Sequence, residues 1–393
     1  MTDPNSFRLD VSPLRVLGLF SGIGGLELGL HKAGATCEYL CELEPTARAV
    51  LQARFPAVPL LPDVRRIRSV PSGINCLAAG FPCQDLSQAG QTRGISGARS
   101  GLVGEVFRLA KSPRIRDVIL ENVPFMLCLD RGRAMRTITA SLEEMGYKWA
   151  YRVLDSRGFG VAQRRRRVFL VASRDRDVER LIFPAERSQR IAAEPNAFGF
   201  YWTEGNSGIG WAEDAVPAIK CGSRLGIPSP PAIWVPNQGI FVPSIEDAEA
   251  LQGFARGWTA CLNSIGESRR RWALVGNAVT VPVARWVGKR LMGRCGAVPH
   301  SSPLNRDKSW PTAGFGQRGL APQTVACSES PLSKCKPLLE MVIPEMPLSE
   351  RATRGFLSRL QRSNLRRPRG FETALSRHAE SLTKARSLQE VRA

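Results

Sequence analysis

The sequence predicts an α/β protein: a doubly wound, mostly parallel sheet with a small loop-rich second domain. Three observations predict it. Over roughly the first 175 residues, short apolar runs alternate with helix-like stretches, the pattern of βαβ units. Those runs are continuously apolar, as strands are when helices cover both faces of a sheet. Between 176 and 244 the periodicity fades, and Gly, Pro, Ser and Trp rise.

Taken in order, strands are expected at 15–20, 37–42, 74–80, 117–122, 148–155 and 167–173, with a further short one just before Asp63. Helices are expected at 24–33, 45–53, 102–111 and 132–145. The first domain therefore spans 1–175. The small domain, 176–244, sets Phe200, Tyr201, Trp202, Trp211 and Trp234 among turns such as 226–231. Helical patterns return at 245–252, 267–275 and 280–292, so 245–300 reads as a return segment completing the first domain. A basic C-terminal extension follows, 301–393, with twice as many Lys and Arg as Asp and Glu. It opens rich in Pro, Ser and Gly and ends partly helical. Ser349 can cap a helix with Ala352, Phe356 and Leu360 on one face, and Ala374, Leu375, His378 and Leu382 offer a second face.

Composition narrows the function classes. With 43% hydrophobic residues the 393-residue chain can build a packed core. Its 55 Lys and Arg against 35 Asp and Glu leave a net +20, which suits a polyanionic partner, nucleic acid before a membrane surface. No apolar run spans a bilayer, and the N-terminus lacks an apolar signal core, so a cytoplasmic location is expected. The ten cysteines then read as free thiols. No CxxC pair exists, and the histidines are His31, His300 and His378, so neither a metal site nor a histidine-based triad is expected. Acid–base chemistry falls to carboxylates, cysteine and water.

Residues 20–25, FSGIGG, follow a strand and open a helix. Glycines there let backbone N–H groups approach a ligand at a helix N-terminus. The dinucleotide fingerprint is excluded, because its third glycine position holds Glu27. A purely structural strand–helix turn fits the loop equally well. Glu42 ends the next strand, where a carboxylate can bind ribose hydroxyls, and Asp63 stands where it could accept from an adenine amino group. Each acid alone reads as readily as a solvated surface acid. Residues 80–87, GFPCQDLS, present Cys83 at a strand exit, although a buried structural thiol explains a lone cysteine as well. Glu121 in ENV (121–123) ends the next strand and could share a cleft with Cys83, or simply cap a helix. In QRRRR (163–167), Arg165 and Arg167 fall on one side of an extended chain, Arg164 and Arg166 on the other.

In this order the segments resemble the DNA cytosine-5 methyltransferase family, in its bacterial or phage restriction-modification branch. FSGIGG resembles the cofactor loop, GFPCQDLS the Pro-Cys loop, ENV the glutamate motif and QRRRR the Gln-x-Arg-x-Arg motif. ALQGF (250–254) resembles the segment supporting the recognition domain, and VGNAVTVP (275–282) the final Gly-Asn segment. The match covers about 15–292. The resemblance implies a Rossmann-like fold that uses S-adenosyl-L-methionine, with 176–244 as a target-recognition domain and duplex DNA in a basic cleft.

It also implies roles. Cys83, after Pro82, would attack C6 of a flipped-out cytosine and form a covalent adduct. Glu121, beside Asn122, would hold N3 and the exocyclic amine, and Arg165 would contact the base oxygen. Phe20, Gly22, Ile23, Gly24, Gly25, Glu42, Leu43, Asp63, Val64 and Leu102 would line the cofactor site, closed by Asn277 and Val279. Leu43 replaces a larger aromatic residue common in the family, and ARSGL (98–102) matches the Arg-Gly-x-Leu segment imperfectly. Gln84, Ser87 and Arg167 are candidate DNA contacts. The resemblance implies no metal, a monomer and no membrane partner. It allows a cognate restriction endonuclease in the same system, without a stable complex. The alternatives are a transfer-RNA cytosine-5 methyltransferase of the same fold and a non-catalytic DNA-binding relative. NLRRPRG (364–370) is expected to add DNA contacts, or else to belong to an extension that only packs on the catalytic domain.

Overall fold

The computed structural model describes residues 13–81, 101–183, 195–203, 208–222 and 229–392. In chain order the strands are β1 (Arg15–Leu19), β2 (Thr36–Cys41), β3 (Leu60–Leu61), β4 (Cys76–Gly80), β5 (Asp117–Asn122), β6 (Lys148–Asp155), β7 (Gln163–Arg164) and β8 (Arg166–Ser173). There follow β9 (Phe198–Phe200), β10 (Ala212–Glu213), β11 (Val216–Pro217), β12 (Ala232–Val235), β13 (Gly239–Val242), β14 (Ser301–Pro303), β15 (Ala313–Gly316), β16 (Gln323–Val325) and β17 (Met346–Pro347). The helices are α1 (Gly25–Ala33), α2 (Pro45–Arg54), α3 (Gly101–Ala110), α4 (Arg133–Glu144), α5 (Val178–Ile182), α6 (Ile245–Leu251), α7 (Arg271–Asn277), α8 (Val281–Leu291), α9 (Glu350–Gln361) and α10 (Phe371–Arg392).

Two compact units form. Described residues within 1–154, 166–187 and 278–331 make the first, and those within 155–165, 188–277 and 332–393 the second. The first unit is an α/β structure on a ten-stranded sheet ordered β14-β16-β15-β6-β8-β5-β4-β1-β2-β3. From β3 to β5 every pairing is parallel, and β8 then runs antiparallel to β5. Both faces are covered. Leu17 and Leu19 of β1 join the cluster holding Val106 of α3 and Ile138 and Leu142 of α4. Gly18, pointing the other way, lies under α1, where a Cβ would stand 2.3 Å from Glu27. Helix α1 packs closely on α8, because Gly29 leaves room for Ala284 and Gly288 for Ala33.

The second unit holds a five-stranded sheet ordered β10-β9-β12-β13-β17, and β7 paired with β11. Helices α9 and α10 cover the sheet. Phe356, Leu360, Phe371 and Leu375 bury themselves against Phe200, Ala232 and Ile240. Phe371 stands edge-on to Phe200, with ring centroids 4.9 Å apart.

The division differs from the sequence reading in two places. The stretch 245–277 sits in the second unit, and the return to the first begins at Ala278. Buried polar bonds explain this: Gln163 donates to Leu251 O, Gln252 donates to Val275 O, and Glu249 is bound to Arg271. The extension 301–393 is also shared out. Residues 301–331 add β14, β15 and β16 beyond β6, with Trp310 packed between Trp149 and Tyr151. Residues 332–393 supply β17, α9 and α10 to the second unit. Among the described residues, no helix is long and apolar enough to cross a membrane.

Candidate active site

Strand direction gathers the candidate residues. Strands β1 to β5 are parallel, so their carboxyl ends share one rim, and antiparallel β8 brings its first residues to that same rim. The strand order reverses between β1 and β4, the switch point where open α/β sheets bind ligands.

The glycine loop leaves β1 at this point. Phe20, Gly22 and Gly24 all take positive φ, and Gly24 is the N-cap of α1. Gly24 N–H donates to Ser21 O at 2.8 Å. A side chain at Gly24 would strike Phe55, whereas at Gly22 no atom of the described residues lies within 4 Å of where a Cβ would be. Ile23 is buried, so it presents only backbone there. Glu42 braces the loop: its carboxylate accepts from Gly22 N–H at 2.7 Å and Glu44 N–H at 2.8 Å. Each oxygen keeps a second lone pair for a ligand hydroxyl. Leu43 beside it is 61% exposed, an apolar surface at the rim.

Asp63 caps the short turn Val64–Arg66 and takes both Nε and Nη2 of Arg65. That guanidinium holds its carboxyl below the usual carboxylate range. Val64 is buried in the core, and Leu102 on α3 packs half-buried against it. These residues fit an adenosyl group at β1, β2 and the turn after β3. Glu42 and Asp63 supply carboxylate acceptors, Leu43 is exposed, and no described atom crowds Gly22. Among the described residues, no group of three or more His, Cys, Asp or Glu is placed to hold a metal ion.

The second half of the rim centres on Gly80. Gly80 pairs with Glu121 across β4 and β5. A Cβ on Gly80 would stand 3.4 Å from Glu121 Oε2 and 3.6 Å from Val279, so Glu121 and Val279 flank the exit of β4. Asn122 donates from Nδ2 to Phe81 O at 3.1 Å, fixing the chain where it leaves the sheet. Pro82, Cys83, Gln84 and Ser87 follow immediately and lie outside the described residues. Asn277, exposed at the end of α7, belongs to the second unit, and Val279 to the first.

Arg167 stands beside Glu121, with Nε 3.1 Å from Oε1. Glu121 faces Phe169 across the ladder, so Arg167, two residues earlier on β8, emerges on the same face as its diagonal neighbour. Arg165 precedes β8 and belongs to the second unit. There it is buried and donates to Ile219 O at 3.1 Å, while Gln163 holds Ile219 N–H.

A sequence model of the C-5 cytosine-specific DNA methylase family matches residues 14–199. The chain is 43% identical over 403 residues to the type II methyltransferase M2.BsuMI of Bacillus subtilis, covering 96% of this chain and 100% of that one. The chain belongs to the C-5 cytosine-specific DNA methylase family. The methylase is also 34% identical to M.MspI of a Moraxella species, over 41% of this chain and 39% of that one. In fold it is similar to Dnmt2 methyltransferase of S. pombe (TM-score 0.53, 16% identity, 71% of this chain and 98% of that one). It is likewise similar to EhMeth of Entamoeba histolytica (TM-score 0.52, 16% identity, 72% and 98%).

The structure also draws in a residue the motifs did not flag. Glu27, in the first turn of α1, is 1% exposed and lies directly over Gly18 beneath the glycine loop. The signal was available: an acid between Leu26 and Leu30 on a helix whose other face must be wet.

Proposed function

We infer that this methylase transfers a methyl group from S-adenosyl-L-methionine to C5 of a cytosine flipped out of duplex DNA, as a type II enzyme of a restriction–modification system. The observation that carries this is the shared rim. It brings the glycine loop, Glu42, Glu121 and Arg167 to the same edge from which the Pro82–Cys83 loop departs. The adenosyl group would be held by Glu42, Leu43, Asp63 and Val64, and the remainder by Phe20 and the Gly22–Gly25 backbone, with Leu102 and Val279 around it. Bound there, the cofactor supplies the methyl group that ends on C5.

The protein's own part is to make C5 a nucleophile. The Cys83 thiolate adds to C6, its electron pair forming the S–C6 bond as charge moves into the ring. Glu121, as the acid, delivers a proton to N3 and anchors the exocyclic amine. Arg167 takes the role expected of Arg165, facing the base oxygen while its Nε holds Glu121 in orientation. Asn122 positions the chain entering the cysteine loop. After transfer, water removes the C5 proton, and the electrons expel Cys83 from C6. Extruding the base costs on the order of a few kcal/mol, which contacts from a chain of net +20 help to offset. Gln84 and Ser87 would touch DNA near the base. The enzyme acts as a monomer, and the partner nuclease acts separately on the same sites.

The test incubates duplex DNA with tritiated S-adenosylmethionine and either wild type or Cys83→Ser, then sequences for 5-methylcytosine. Methylation at one short motif, lost in Cys83→Ser, is expected. Label in transfer RNA alone would move the activity to RNA. No label in either, with cofactor binding intact, would make the chain a non-catalytic relative.

A further inference from the structure

We propose that the arginine-rich connection between α9 and α10 is a phosphate-contacting surface for duplex DNA, built into the second unit. It deepens the reading of this chain as a DNA-acting methylase and rests on it. Between Glu350 and Glu372 the chain carries seven arginines and no acidic residue. Two of the seven are neutralised by the flanking acids: Arg354 pairs with Glu350, and Arg367 with Glu372. Arg362, Arg366 and Arg369 are exposed and have no acidic partner among the described residues. Arg362 bonds only to Ser358, within its own helix.

The connection is anchored, not a loose tail. Leu360 and Phe371, on either side, are fully buried in the core of the unit, and Leu365 packs against that core from within the connection. It is also fixed in place along the sheet. Arg359 donates to Trp202 O, just beyond β9, and Trp202 donates from Nε1 to Pro230 O, just before β12. The last turn of α9, the residue just beyond β9 and the residue just before β12 are thus linked at one end of the five-stranded sheet, and the connection that follows α9 presents three unneutralised arginines. Concentrating like charge on a rigid turn is unfavourable for the protein alone. A row of phosphates relieves it, and guanidinium forks match phosphate oxygens.

The test uses the full-length chain and a labelled mixed-sequence duplex about 30 base pairs long, with binding followed by fluorescence anisotropy across a KCl series. Each phosphate contact contributes about 0.9 to the slope of log affinity against log salt. Arg362→Ala/Arg366→Ala/Arg369→Ala should lower the slope by about 2.7 if all three contact phosphate. The corresponding triple lysine variant should keep most of it, because the contact is chiefly charge. A slope unchanged in the alanine variant overturns the proposal. So does a slope lost on a stem–loop RNA but kept on the duplex. Methylation assays on the same preparations separate the two readings. An active enzyme with an unchanged slope defeats this surface alone. A lowered slope in a chain that never methylates DNA leaves the surface standing and defeats the catalytic reading.

Discussion

Glu27→Gln should change how stability depends on pH, by an amount that follows from its surroundings. The carboxyl is buried over Gly18, and neither oxygen has a hydrogen-bond partner among the described residues. Burial pushes it up to about 7 from an ordinary 4.5. Nearby Glu42 adds to the rise, while its own backbone N–H and the Ser21 hydroxyl oppose it without reaching hydrogen-bond geometry. Cys37 on β2 faces it as a thiol whose own ionisation is pushed upward by burial and by Glu27. Between pH 4.5 and about 7 the unfolded chain has lost a proton that the folded chain retains, so stability falls as pH rises through this window and levels off above it. Integrated from pH 5 to pH 8, the loss is about 2.5 kcal/mol. Glutamine has the same shape and no proton to lose. The stability difference, variant minus wild type, should therefore move by about 2.5 kcal/mol in favour of Glu27→Gln between those pH values, with every other titrating group cancelling. Urea unfolding read by amide exchange in β1 and β4 measures this unit alone. Parallel pH profiles for the two proteins would refute the buried, unpartnered carboxyl.

The remaining predictions concern other parts of the chain. Glu249 is fully buried and accepts from the N–H groups of Gly257, Trp258 and Thr259 and from Arg271, so Glu249→Ala should cost about 3–5 kcal/mol by leaving a buried guanidinium short of its counter-charge. Denaturant unfolding of the second unit, followed by Trp258 fluorescence, checks it. Asn122→Ala removes the bond to Phe81 O and should slow methylation about tenfold, with cofactor affinity within about twofold of wild type, measured by single-turnover kinetics and titration. Burial and the Glu42 and Asp63 charges push the Cys41 thiol up to about 12, and burial pushes the Cys76 thiol well above its ordinary value. Timed iodoacetamide labelling at pH 8 with mass spectrometry should therefore modify exposed Cys128, Cys221 and Cys335 well before either. An isolated 176–244 fragment should show the poorly dispersed amide spectrum of an unfolded chain. It lacks Leu348, Phe356, Leu360, Phe371 and Leu375, whose burial contributes on the order of 10 kcal/mol, comparable to a domain's whole stability.

Much of the first unit was legible because its strands are continuous apolar runs and its helices carry ordinary boundary signals. The expected strands at 117–122 and 148–155 match β5 and β6, and the expected helix at 132–145 brackets α4. The tail's apolar face was legible too: Phe356 and Leu360 are buried as the i, i+4 spacing implies, and Ala352 packs half-buried against the same core, with Thr353 buried beside it. What the sequence could not supply was the partner. Nothing in the spacing of Phe356, Leu360 and Leu375 says that they cover Phe200 and Ile240, more than a hundred residues away. Similarly, β14 to β16 are three or four residues long, too short for periodicity to announce them.

The two arginines of QRRRR show where pattern reading stops. Period-two alternation puts Arg165 and Arg167 on one side of an extended chain, and it cannot choose between them. The choice is made by strand partners. Residues 163 and 164 pair with Val216 and Pro217, while from Val168 the chain pairs with β5. The changeover falls at the boundary between the two units, so the same-side pair is divided between different neighbours: Ile219 O for one, the Glu121 carboxylate for the other. The placement of Arg167 beside Glu121 therefore depends on register as much as on residue type. Shifting β8 by one residue against β5 would reverse every side chain on it and carry Arg167 off the face that Glu121 occupies. Val168, Leu170 and Ala172 resist that slip, because all three are buried in the core on the opposite face. The apolar residues that stabilise this strand are thus also what aims its arginine.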